Sequence, residues 1–366
     1  MKEQIIKLNS ECPVNSHNEW DPLEEVIVGN VDHAIFNLGV PYAQQMFSKN
    51  EMSKFLKQFS ILSSFPKTYI NKARDSLKGF IHILKSEGVV VKQAESYNFN
   101  TEFGTPDWCS SFGFNAANPR DSMLIVGNEI IEAPMATKDR YFECFPYRSI
   151  IKEYFIQGAK WTAAPKPQLL DTLLNKKYKG SLKKKIGVFC LNNFEPVFDA
   201  ADFVRCGRDL FGQLSHTTNQ MGIDWLQRHL GDDYHIHLIK SLDPKAWHID
   251  TTFMPLAPGK VLINPEFVNP KKLPTILKSW DVLIAPKPVP YKVKPKVMSN
   301  WISINTLMLD EKRIIVEKRQ KPLIDALKKW GFEPIPCSFE DFYPLMGGFH
   351  CAALDVRRKG ELKSYF

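Results

Sequence analysis

The chain lacks most of the signatures by which an enzyme class is read at sight. Its seven cysteines, Cys12, Cys109, Cys144, Cys190, Cys206, Cys337 and Cys351, are odd in number, scattered, and without a Cys-x-x-Cys pair. A disulfide framework would use an even, regularly spaced set, so free thiols and a cytoplasmic location are expected. There is no Gly-x-x-x-x-Gly-Lys loop, no Gly-x-Gly-x-x-Gly turn and no Gly-x-Ser-x-Gly elbow. That excludes the common phosphate, dinucleotide and serine-hydrolase signatures. No window approaches the ~20 apolar residues of a membrane span. The stretch from Met1 to Ser16 has no apolar core of a secretory signal. His235 and His237 alternate and share a strand face, but no third ligand stands at zinc spacing, so no metal is expected.

What is present is an ordinary globular composition, 44% hydrophobic and 24% charged, over 366 residues. We expect one domain over 1–366, with 1–14 as an N-terminal extension. The net charge is +8. The densest basic run, Lys176–Lys177–Tyr178–Lys179 and then Lys183–Lys184–Lys185, carries one aromatic residue and no nucleic-acid module. It reads as a solvated surface loop of unassigned role, and neither nucleic acid nor membrane is expected as a partner.

A loose unit recurs five times: a short apolar strand, often in a hairpin, then an amphipathic helix, then another apolar strand. The first copy runs from Glu24–Val28 through a helix over Ala73–Gly88 to Val89–Val91. The second takes Met123–Val126, a turn at Gly127–Asn128, Glu129–Ile131, a helix over Tyr141–Gly158 and Lys160–Thr162. The third takes Ile186–Phe189, a turn near Cys206–Arg208, a helix over Thr217–Gly231 and Tyr234–Ile239. The fourth is Lys260–Ile263, a helix over Pro270–Ser279 and Val282–Ile284. The fifth is Ile304–Leu309, a turn at Asp310–Glu311, Arg313–Glu317, a helix over Pro322–Trp330 and Glu333–Pro336. Helical apolar spacing such as Leu77, Phe80, Ile81 and Leu84 demands one buried face. Gly88, Gly158 and Gly231 stand where helices should stop. One unit cannot cover its own sheet. Five packed in a ring can, with strand ends meeting at a central cleft.

Four polar segments fall at strand ends or tight turns: Asn118–Asp121, Phe198–Asp202, Trp247–Asp250 and Gly347–Cys351. Asp199 and Asp202 lie among apolar neighbours. His248 and Asp250 bracket one apolar residue, so an extended chain would put them on one face. Gly347–Gly348 would let backbone approach a ligand closely before Cys351. Each has a plain alternative: a turn-forming Asp, a satisfied core His, an inert buried thiol. The joint occurrence of Cys, His and several Asp at comparable strand ends is what favours catalysis.

Longer motifs carry a resemblance. Asn18–Gly29 (NEWDPLEEVIVG), Gly127–Ala136 (GNEIIEAPMA), Phe198–Phe203 (FDAADF) and Gly347–Cys351 (GGFHC) closely resemble the glycine amidinotransferase family, and the match runs from about Asn15 to Phe366. The resemblance implies an α/β fold, a five-bladed pseudosymmetric propeller of ββαβ units (pentein-type). It implies that Cys351 is the nucleophile that becomes an amidino-cysteine, His248 the general acid/base, and Asp199 the carboxylate that orients and charges His248. Asp121 and Asp250 match the carboxylates that grip the guanidinium. L-arginine is the implied donor and a small amine the acceptor. No cofactor is implied, and a homodimer is. The residue types suit the chemistry: paired carboxylates fix a planar guanidinium, a thiolate attacks its carbon, and a histidine shuttles the proton between amines.

The sequence also departs from the family. Where glycine-specific members carry an Arg after Asn-Pro-Asp, this chain has Asn264–Pro265–Glu266–Phe267, so Phe267 takes that place. Trp247 replaces a Met before the histidine. Of a Ser-Ser pair, the second is Ser299 and the first is Met298. Three polar or slim positions have become bulky and apolar, so a larger amine than glycine is expected. The pattern resembles amidinotransferases of specialised metabolism, such as those of cyanobacterial toxin pathways, saxitoxin's among them. The alternatives are a glycine acceptor, a guanidine hydrolase of the arginine deiminase type on the same scaffold, and a non-catalytic binding protein.

Overall fold

The computed structural model describes residues 12–37, 53, 62–175, 178, 186–294, 296 and 298–366. The Lys-rich run at 176–185, apart from Tyr178, and residues 1–11 of the expected extension lie outside them.

Short apolar strands and the turns between them set the plan. Strand β1 (Leu23–Val28) is followed by a small antiparallel pair, β2 (Ile35–Asn37) and β3 (Leu62–Ser64), then helix α1 (Lys67–Ser86) and β4 (Val90–Gln93). A second small pair, β5 (Phe103–Thr105) and β6 (Trp108–Ser110), leads to the one-turn helix α2 (Pro119–Ser122). The second sheet uses β7 (Met123–Val126), β8 (Glu129–Glu132), helix α3 (Arg148–Ile156) and β9 (Lys160–Ala163). The third uses β10 (Phe203–Cys206), β11 (Asp209–Gly212), helix α4 (Gln220–Leu230) and β12 (His235–Leu238). The fourth uses β13 (Phe253–Ala257), β14 (Lys260–Ile263) and β15 (Asp281–Ile284). The fifth uses β16 (Leu307–Met308), β17 (Arg313–Glu317), helix α5 (Lys321–Lys329) and β18 (Glu333–Cys337). The one-turn helix α6 (Phe349–Ala352) then opens β19 (Ala353–Arg358).

Among the described residues, five three-stranded sheets share one wiring, the number and pattern expected. Each central strand is antiparallel to one neighbour and parallel to the other. Two-residue turns such as Gly127–Asn128 permit the antiparallel step, while the parallel return needs a longer crossover. The first sheet draws its antiparallel strand from the far end of the sequence: β19 pairs with β1. The sheets are also neighbours in a closed order. β19 touches β7, β7 touches the Ala200–Asp202 turn before β10, and β10 touches β13. The Ile249–Thr251 turn before β13 touches the Asn300–Ile304 turn before β16, and the Leu23 N–H of β1 donates to Leu309 O beside β16 at 2.8 Å. Strands β7, β10 and β11 are buried at every residue; β7 reads as a continuous apolar run, whereas β10 and β11 bury Arg205 and Asp209 among apolar neighbours.

Helix α1 buries Ala73, Leu77, Phe80 and Leu84 along one face. Phe80 meets Phe339 and Phe349 with ring centroids 5.4 and 5.3 Å away, and Phe339 stacks on Phe349 at 4.5 Å. Burying each ring contributes ~1.5–3 kcal/mol, and the trio ties α1 to α6, the turn that carries Cys351. Helices α1, α3 and α4 stop within two residues of Gly88, Gly158 and Gly231, as the sequence predicts.

Four local expectations change. Ile186–Phe189 forms no strand; Ile186 and Val188 are exposed there, and the Gly207–Arg208 turn instead pairs β10 with β11. The fourth unit has no α-helix over Pro270–Ser279. It has two 3-10 turns, Pro270–Lys272 and Thr275–Ser279, with Leu273 extended before Pro274 (φ −65°, ψ 152°). A proline has no N–H to donate and disfavours helix in the residue before it. Of the expected fifth-unit strand Ile304–Leu309 only Leu307–Met308 is strand, because Asn300–Ile304 is a 3-10 turn. His248–Asp250 is not extended either: His248 caps a 3-10 turn over Ile249–Thr251.

Candidate active site

In each unit a single helical turn precedes the strand that starts the antiparallel pair. The turns are α2 before β7, Ala200–Asp202 before β10, Ile249–Thr251 before β13, Asn300–Ile304 before β16, and α6 before β19. They deliver Asp121, Asp199, His248 with Asp250, Asn305, and Cys351, all of them buried. A turn this short commits few backbone bonds, and the strand behind it is pinned in its sheet. The polar side chains are therefore held by a rigid frame.

His248 Nε2 lies 3.0 Å from Asp199 Oδ2, and its Nδ1 lies 3.5 Å from Asp121 Oδ1. Cys351 Sγ faces Asp250 Oδ2 at 3.3 Å and Asn305 Nδ2 at 3.1 Å. One ligating atom each of Asp121, His248 and Cys351 falls within 4.8 Å of the others. Arg140 ties the group together: Nη1 to Asp199 Oδ2 at 2.7 Å, Nη2 to Asp121 Oδ2 at 2.8 Å, and Nε to Glu143 Oε2 at 2.6 Å. Asp121, Asp199 and Asp250 each keep a buried Oδ1 that accepts no hydrogen bond among the described residues. Such orphan acceptors are costly.

Burial alone would lower the His248 imidazole, but Asp121 and the Asp199 hydrogen bond outweigh it and raise it to about 9. Burial pushes the Cys351 thiol well up, and Asp250 and Asp121 push it further. Burial likewise raises Asp121 despite His248 and Arg140. Asp250 is lowered: burial would raise it, but the His350 hydrogen bond and charge prevail. These shifts favour a protonated imidazole beside a protonated thiol. A metal on Asp121, His248 and Cys351 would first have to displace both protons.

Behind the site lies a second buried charge cluster. His350 bridges Asp250 Oδ2 (2.8 Å) and Glu19 Oε2 (3.1 Å). Glu19 in turn meets Arg205 Nε at 2.9 Å and Arg120 at 3.5 Å. Arg120, Arg205 and Arg358 all converge on Asp355.

Gly347 and Gly348 serve a different purpose from the expected one. A Cβ on Gly347 would stand 2.1 Å from Asn118 Oδ1, and one on Gly348 2.6 Å from Asn305 Oδ1. The glycines admit the protein's own amides, which fill the space where a ligand was expected.

The structure gathers Asp121, Asp199, His248, Asp250 and Cys351. The remaining sequence candidates are more spread. The Trp247 ring lies 5.7 Å from the His248 ring. Trp247 and Met298 pack against the core around α1, and Met298 is held by the Tyr291 hydroxyl through its main chain. Ser299 Oγ caps the Asn300–Ile304 turn by accepting from the Trp301 N–H. Phe267 packs against the separate core built on β13 and β14. Sequence reasoning missed Arg140, which sits in an unremarked Lys-Asp-Arg turn, and Asn305. The latter carried a signal: it stands two residues before β16, as Asp121 stands two before β7 and Cys351 two before β19.

No family model matches the chain. It is 46% identical over 361 residues to the L-arginine:L-lysine amidinotransferase of Pseudomonas savastanoi pv. phaseolicola, covering 96% of each chain. It is 44% identical over 368 residues to the mitochondrial glycine amidinotransferase of Gallus gallus, covering 97% of this chain and 85% of that one. Among solved structures it resembles SxtG, an amidinotransferase of the saxitoxin pathway from Microseira wollei, at a TM-score of 0.93 and 55% identity over 97% of this chain and all of that one. A dimethylarginine dimethylaminohydrolase, 11% identical with a TM-score of 0.57, shares the pentein fold alone. Relatives this similar over nearly the whole length settle the family: the chain belongs to the amidinotransferases, enzymes that move an amidino group from one molecule to another.

Proposed function

We propose that the protein transfers the amidino group of L-arginine to an amine larger than glycine by way of a covalent amidino group on Cys351. The observation that carries this reading is the pair of unfilled, buried carboxylate oxygens, Asp121 Oδ1 and Asp250 Oδ1, beside Cys351 Sγ and a charged His248. A guanidinium is planar, cationic and rich in donors, so it fills that demand.

Its positive charge offsets the carboxylates that hold the thiol neutral, and the thiol proton passes to water. The thiolate attacks the central carbon. His248, oriented by Asp199, gives its proton to the departing nitrogen, and ornithine leaves as the carbon–nitrogen bond breaks. The amidino group stays on sulfur as a thiouronium. The incoming amine then attacks, neutral His248 takes its proton, and the carbon–sulfur bond breaks to return the thiolate. This two-step exchange predicts ping-pong kinetics.

The acceptor reading rests on Trp247 and Met298, and on the likeness to a saxitoxin-pathway amidinotransferase. A toxin-pathway amine that lacks a carboxylate at the usual glycine position fits these apolar replacements. Phe267 supports this less, because it packs into a different core. Family resemblance also supports a cytoplasmic homodimer, which light scattering on the purified protein tests. No described helix is long and apolar enough to cross a membrane.

Intact mass after mixing with labelled L-arginine tests the first half-reaction: one amidino mass on Cys351 is expected, and its absence would sink the reading. Competing glycine, lysine, an inosamine and an aminoketone in the second half tests the acceptor, and efficient glycine turnover would overturn that part. Citrulline formed without any amine would instead favour hydrolysis.

A further inference from the structure

Four of the five units contribute a residue to the scheme above; the fifth, through Asn305, does not. Yet Asn305 is fully engaged at the nucleophile. Its Oδ1 accepts from the backbone N–H of His350 at 3.0 Å and of Cys351 at 3.2 Å. Those two donors can be met only by an acceptor, so the amide has one orientation. Its Nδ2 is thereby turned toward Cys351 Sγ at 3.1 Å and the Asp250 carbonyl at 3.5 Å. The close approach depends on Gly348, whose position leaves no room for a Cβ. The residue is buried and its own N–H is fixed to Ile302 O at 3.0 Å.

We propose that Asn305 is a catalytic residue: its Nδ2–H donates to Cys351 Sγ and stabilises the sulfur anion, while its Oδ1 holds the turn that carries the cysteine. This rests on the reading that Cys351 is the nucleophile. In the resting enzyme the thiol donates to Asp250 Oδ2 and accepts from Asn305. When the S–H bond breaks, the electron pair stays on sulfur and the proton goes to water. Asp250 then ceases to be a partner and repels the anion. The amide N–H remains as a neutral side-chain donor to it, beside the Gly348 backbone that also favours the anion, and a hydrogen bond strengthens when its acceptor becomes charged. The same donor stabilises the thiolate again when it leaves in the second half-reaction. Because Asn305 is uncharged, it does so without competing with the guanidinium for Asp121 and Asp250.

Two variants separate this role from a purely structural one. Asn305→Ala removes both functions without adding charge. Asn305→Asp keeps an acceptor for the two backbone N–H groups and removes the donor to sulfur. For each, iodoacetamide labelling of Cys351 is followed by peptide mass against pH, and single-turnover amidino transfer from L-arginine is timed. Arginine binding is compared by titrating the same substitutions in a Cys351→Ser background. We expect the labelling profile of Asn305→Ala to move up by about one pH unit and amidino transfer to slow about 10–100-fold in both variants. Arginine binding should stay within about threefold. Wild-type transfer in Asn305→Asp, or an unshifted labelling profile in Asn305→Ala, would overturn the proposal and leave Asn305 as a clamp only. If the wild type itself takes no amidino group, the underlying reading fails instead, and the labelling profile still reports on Asn305.

Discussion

Two clusters of buried charge lie back to back in this molecule, joined through His350. Around Asp355 the bonding is complete: three guanidinium groups converge on one carboxylate, and Glu19 meets two of them. These arginines hold Asp355 well below the usual carboxylate range, despite burial. Around Cys351 the bonding is incomplete. Asp121, Asp199 and Asp250 each leave an oxygen that accepts no hydrogen bond among the described residues, although Asp121 Oδ1 faces His248 Nδ1 at 3.5 Å, and burial drives Asp121 and the thiol upward. The first cluster is closed on itself and fastens β19 to the rest of the ring. The second keeps acceptors that no described donor fills. Burial and charge density do not distinguish the two; the completeness of pairing does.

Four experiments would break or sharpen that contrast. The largest effect belongs to the nucleophile: Cys351→Ser should lower turnover by ~10⁴-fold or more, with no amidino mass on the protein and no loss in melting temperature. Next, Asp355→Asn should destabilise the fold by ~3–5 kcal/mol in urea unfolding, because it strands buried guanidinium charge. Activity per folded molecule should change far less. Third, Asp121→Asn should lower arginine-dependent turnover ~10²–10³-fold while stability holds or rises by up to about 1 kcal/mol. Its carboxyl is raised in the folded protein, so at neutral pH its ionisation works against folding. A large loss of stability there would erase the distinction between the clusters.

The smallest effect concerns pH. His248 is raised to about 9 from an ordinary 6.5. A raised imidazole stabilises the fold fully below 6.5, and that contribution is lost as the pH climbs through about 9. Melting temperature should fall across this window in the wild type, and less steeply in His248→Gln. Amidino transfer from arginine should also decline above about pH 9, as the proton donor empties. A flat profile in both measurements would contradict an imidazolium held by Asp121 and Asp199.

The sheets were legible because their inner strands are buried on both sides: Met123–Val126 is apolar throughout and ends in Gly127–Asn128. The same rule misread Ile186–Phe189, an apolar run with no partner strand and exposed side chains. The fourth-unit helix failed on Pro274, whose restriction of Leu273 outweighed a helical spacing. At the site, Cys351, His248 and the carboxylates were assigned by resemblance more than by spacing. Arg140 was illegible because its partners Asp121 and Asp199 stand 19 and 59 residues away, and no local pattern records such a pairing. Asn305 was hidden in an apolar stretch. Only the internal repetition of the fold, a polar residue just before each inner strand, exposes it.

The pairing of β19 with β1 has a consequence for how the enzyme comes into being. Cys351, which we propose as the nucleophile, lies on the turn that opens β19, and that strand completes the first sheet. During synthesis, therefore, four of the five sheets can have all their strands while the first still lacks one and no thiol is in place. A nascent chain stalled before residue 349 holds Asp121, Asp199, His248 and Asp250 but not Cys351. On the proposed role of Cys351 the site is complete only when the ring is closed, so premature release would yield inert protein and not a leaky enzyme.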